Sequence, residues 1–134
     1  MTKTLAAYVI ALLSFVAIDM IWLMFVARGT YVAEMGDLLR KQPNMAAALA
    51  FYLVYAAGLC AFAILPGVKA GAVSEAMLWG AALGFVAYAT YDLTALSVLQ
   101  GFGAKIAIID LVWGTVVSSV ACGFTSWVVM KLGV

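Results

Sequence analysis

Histidine is absent from this 134-residue chain and charge is scarce, with seven Lys and Arg and six Asp and Glu together making 10% of the residues. Without imidazole the chain lacks the usual neutral-pH base and the usual nitrogen ligand for zinc or haem. No metal and no cofactor is expected. The net charge of +1 and the scatter of the basic residues leave no cationic stripe to track phosphates, so nucleic acid is excluded as a partner. Cysteine occurs only at Cys60 and Cys122, both inside apolar runs, where a thiol is an ordinary small packing group. Proline is limited to Pro43 and Pro66, so little interrupts helix formation.

Apolar side chains fill the space that charge leaves. They make up 68% of the chain, against about 45–50% in a soluble domain. A small domain exposes too much surface to hide that excess from water, whereas lipid accepts it on the outside. Four apolar runs can be drawn: Leu5–Ala27, Ala46–Leu65, Ala76–Leu99 and Ala104–Met130. Each reaches the roughly 20 residues needed to cross about 30 Å of hydrocarbon. No alternating strand pattern is sustained, which argues against a barrel. The expectation is one all-α domain over residues 1–134, a polytopic membrane protein built as a four-transmembrane-helix bundle in contact with lipid.

The first run is too long for the core of a secretory signal, contains Asp19 and Trp22, and is followed by Arg28 without a small-residue cleavage site, so it reads as a retained helix. A short interfacial helix is expected across Tyr31–Arg40, and Leu65-Pro66-Gly67 reads as a helix stop followed by a turn. Basic residues divide three to four between the two sides. That balance does not choose an orientation, although the slight excess would put both termini outside the cytoplasm.

Asp19, Asp92 and Asp110 are the informative residues. Counted from the end at which Arg28, Gln100 and Ala104 lie, all three stand roughly 9–14 Å inward at 1.5 Å per residue. Tyr52, Tyr55, Tyr88, Tyr91 and Thr94 fall in the same layer, with Tyr88, Tyr91 and Thr94 expected around Asp92. Asp19 and Trp22, and Asp110 and Trp113, repeat a D-x-x-W spacing that puts acid and indole on one helical face. The two helices run in opposite directions, so Trp22 lies nearer the surface and Trp113 deeper. A carboxyl at that depth costs at least about 2.5–3.5 kcal/mol facing lipid, so the acids should turn inward. These ten residues form the candidate proton, cation or ligand site, with no catalytic role assigned to any one of them. Gly80 and Gly84 make a small-x-x-x-small face, suited to contact within the bundle or to a homodimer.

Asp19-x-x-Trp22, the segment Gly84-Phe85 to Tyr91-Asp92-Leu93-Thr94, and Asp110-x-x-Trp113-Gly114 together give the chain a recognisable pattern. Over essentially its whole length it resembles a bacterial family of small predicted membrane proteins, domain of unknown function 2177. Where members of that family often carry Asn after the Thr, this chain has Ala95. The resemblance implies a four-helix protein of the bacterial inner membrane and implies no particular activity. Three functional classes fit the residues: binding or transport of a proton, cation or small polar or amphipathic solute; a lipid-modifying enzyme using Asp acid–base chemistry; and an accessory subunit whose acids meet a membrane-protein partner.

Overall fold

The computed structural model describes residues 2–39 and 42–133, with backbone only for residues 26–28. Arg40 and Lys41, the side chain of Arg28 and the expected end of the interfacial helix at Arg40 lie outside the described residues. All the regular structure described is helical, and four helices are long and apolar enough to cross a membrane: Thr2–Phe25, Met45–Ala70, Val73–Val98 and Ala104–Leu132. Their outward faces carry large apolar side chains such as Leu5, Phe25, Val54, Phe62 and Val98, an arrangement stable only against lipid.

Helix α1 (Thr2–Ile21) passes through a wide π-helical stretch, Trp22–Ala27, into α2 (Arg28–Met35), and Gly36–Leu38 closes this section as a 3₁₀ turn. The π stretch widens the helix where the first span meets the surface. A short helix is therefore present in the expected place, joined to the first span without a break. The next helix, α3 (Met45–Leu59), is capped by Asn44, whose side chain accepts from the Ala47 N–H at 3.1 Å.

Beyond α3 the structure departs from the expected stop. A π-helical segment, Cys60–Ile64, leads into α4 (Leu65–Ala70), so the second span runs straight through Pro66. Pro66 has no N–H to give to the helix, and an ordinary turn would press its ring on the preceding carbonyl. Here Leu65 bonds back to the carbonyl of Cys60, five residues earlier, which widens the ladder just where proline enters it. Termination falls instead at Gly71, whose φ of 70° is the left-handed cap that glycine adopts without steric cost.

Helices α5 (Val73–Val98) and α6 (Ala104–Leu132) form the tightest pair. A Cβ placed on Gly84 would lie 2.5 Å from the Gly114 carbonyl and 2.6 Å from Ser118 Oγ, while one on Gly80 would meet the Cys122 side chain. The small-residue face of α5 is thus occupied by α6 of the same chain, the close approach such faces permit. Helix α6 also packs against α1, and its inner face is held by Ser14–Thr125 and Tyr55–Ser118 contacts at 3.4 and 2.7 Å. The second span packs on α1 through α3 and on α5 through its part beyond Leu59, so α3 and α5 part toward the end where α2 lies.

An acidic and aromatic site inside the bundle

Antiparallel packing of α1 and α6 brings the two D-x-x-W motifs head to tail. Asp19 and Trp113 each stand nine residues from a helix boundary at Arg28 or Ala104, about 13 Å deep, while Trp22 and Asp110 each stand six, about 9 Å. Each indole therefore arrives at the depth of the other helix's acid. Trp113 Nε1 donates to Asp19 Oδ1 at 3.0 Å, and Tyr52 donates its hydroxyl to Asp19 Oδ2 at 2.6 Å. Both oxygens of this buried carboxyl are satisfied. The Trp22 and Trp113 rings stack 4.3 Å apart and 7° from parallel.

A second centre sits closer to the surface. Tyr31, on α2, donates to Asp110 Oδ1 at 2.7 Å, and Trp22 Nε1 reaches the same phenol at 3.4 Å. Burial, and then the hydrogen bond and charge of Asp110, hold the Tyr31 hydroxyl above its ordinary titration range, so it stays a proton donor to the acid. Glu34 on α2 pairs with Lys105 at the start of α6 at 3.5 Å, which ties α2 over this end of the bundle.

Asp92 differs from both. Its relative exposure is 0%, yet neither carboxyl oxygen has a hydrogen-bond partner among the described residues. It lines a cavity of about 260 Å³ with Asp110, and each acid stands in the other's field. Tyr31, Met35, Leu39, Tyr91, Phe102 and Ile106 complete the wall. A second cavity of about 220 Å³ adjoins it between α3 and α5, lined by Phe51, Ala87, Tyr88, Tyr91 and Asp110. The two share Tyr91 and Asp110. A hollow of about 480 Å³ between α1 and the second span is apolar and holds none of the acids.

Of the residues singled out in the sequence, Asp19, Tyr52, Trp22 and Trp113 form one hydrogen-bonded and stacked group. Asp92, Asp110 and Tyr91 share the first cavity, and Tyr88 joins Tyr91 and Asp110 at the second. Tyr55 turns away to Ser118, deeper in the core, with its ring 6.1 Å from that of Tyr88. Thr94 is exposed on α5 and lines neither cavity. Tyr31 was not among the candidates, although it bonds Asp110 directly. Its signal was a tyrosine in the interfacial helix, next to the end of the bundle from which Asp110 is about 9 Å inward, and its long side chain spans that distance.

Fold and site together define a multi-pass membrane protein with a carboxylate and aromatic cluster inside its bundle. The model of the family described as predicted membrane protein, domain of unknown function 2177, matches residues 4–127, and the chain belongs to that family. Comparison with curated proteins and with solved structures finds no match.

Proposed function

We propose that the chain binds and exchanges a proton or a small cationic or polar solute at the Asp92–Asp110 centre, within the membrane. The observation that carries this reading is Asp92, fully buried and, among the described residues, without a hydrogen-bond partner beside a second acid. Two neighbouring carboxylates cannot both stay ionised in a poorly solvated site without a positive charge between them. The pair is therefore a place where one proton or one cation is held and released. Asp19 serves another purpose: saturated by Tyr52 and Trp113, it fixes α1, α3 and α6 in register. Burial of Asp19 and Asp92 within a single chain supports this reading over a subunit whose acids await a partner's basic residues.

The test is infrared titration of the protein in lipid nanodiscs. A protonated-carboxyl band that changes with pH should be present in the wild type, be altered by D92N and by D110N, and survive D19N. A titration indifferent to both D92N and D110N would sink the proposal.

A further inference from the structure

The reading of Asp92 and Asp110 as a charge-accepting pair leaves open what carries the charge, and the walls of the cavity bear on that. Divalent metals such as calcium take about 6–8 oxygen ligands, and magnesium demands a regular octahedron. Here two carboxyls share the space with Met35, Leu39, Phe102 and Ile106, and among the described residues no three metal-ligating side chains converge. Tyr91 and Phe102 stand edge to face, 86° apart with centroids at 6.1 Å, and present aromatic surface to the same cavity. Such surface attracts an ammonium group as well as an apolar body. An ammonium brings three donors and no acceptor, matching a carboxyl whose two oxygens have no donor among the described residues.

Size and access narrow the class further. Each of the two cavities, at about 260 and 220 Å³, is below the roughly 300 Å³ at which drug-sized pockets begin, so an occupant seated in the first is compact. The second cavity, lined by the exposed Phe51 and by Ala87, meets the first at Tyr91 and Asp110 in the gap where α3 and α5 part. The exposed Phe51 gives that gap an apolar outer edge, of the kind that meets lipid in a membrane-spanning bundle. We infer that the cavity between Asp92 and Asp110 is a binding site for a small lipid-soluble primary amine, which enters from the bilayer between α3 and α5. The inference rests on the proposed charge-accepting role of this pair.

The experiment compares 2-phenylethylamine with its neutral counterpart 2-phenylethanol, by calorimetric titration of the protein in phosphatidylcholine nanodiscs. The amine should bind saturably and at least about tenfold more tightly than the alcohol, the discrimination expected of one charge-assisted hydrogen bond. D92N should reduce amine affinity by a similar factor and alcohol affinity by much less, so that the preference for the amine is lost. Equal binding of amine and alcohol by the wild type, or no saturable binding of the amine, overturns the inference without recourse to any variant. If that happens while the infrared titration still responds to D92N, the amine site is wrong and the proton or cation site stands. If the titration also fails to respond, both fall.

Discussion

Asp19 and Asp92 are the same residue type at similar depth, and their surroundings give them opposite consequences for stability. Asp19 accepts from Tyr52 and Trp113 on its two oxygens, so an amide in its place turns a donor toward one of two groups that already donate. D19N is expected to destabilise the fold by about 1–3 kcal/mol, the penalty for a buried polar group left unsatisfied. Among the described residues Asp92 has no such bonds to lose. D92N should leave stability within about 1 kcal/mol of the wild type, or raise it, because a neutral amide removes a buried acid from the field of Asp110. Thermal unfolding of both variants in one detergent decides the matter, and a larger loss for D92N than for D19N would contradict the division of roles. The depth of each acid was legible from residue counting. Its partners were not, because Tyr31, Tyr52 and Trp113 reach them through side-chain directions set by packing.

Between elements, the small residues of α5 and α6 determine how near Tyr88 and the acids come to one another. Gly114 follows Trp113 directly, and a methyl group there would overlap the Tyr88 ring. Gly114→Ala should cost about 1–3 kcal/mol as an overpacked contact, and should displace Tyr88 from the wall of the second cavity. Gly58 offers the contrast, since its added methyl would meet only Leu83 Cδ2 at 4.0 Å. Gly58→Ala should be neutral or stabilising by up to about 1 kcal/mol, through helix propensity alone. Unfolding of the two variants side by side separates a specific close approach from a general preference for flexible helices. The same elements show what pattern alone conveys. Gly80 and Gly84 announced a close helix contact, and only the fold assigns it to α6. Pro66 announced a stop, yet the π-helical turn before it carries the helix on to Gly71. Hydropathy revealed four spans because lipid selects for composition along their whole length; wide turns depend on a few local hydrogen bonds and leave no such trace.

For the molecule as a whole, the parting of α3 from α5 matters more than any single contact, because it sets the side from which the carboxylate layer is reached. On the proposed reading, one route would lead from the water-facing end beneath α2, past Tyr31 and Leu39, and the other from the bilayer, past Phe51 and Ala87, which line the two cavities. The routes share Tyr91 and Asp110, so equilibrium binding cannot tell them apart, but kinetics can. Ala87→Phe adds a ring to the wall of the bilayer-side cavity while leaving Asp92 and Asp110 in place. With 2-phenylethylamine already partitioned into nanodiscs, stopped-flow tryptophan fluorescence from the Trp22–Trp113 stack beside the site should report association slowed by about tenfold or more. Dissociation should slow in parallel and the equilibrium affinity should change little, since a narrowed portal obstructs entry and exit alike. An association rate unaffected by Ala87→Phe would assign entry to the opening beneath α2, and would make the gap between α3 and α5 a lipid-filled crevice.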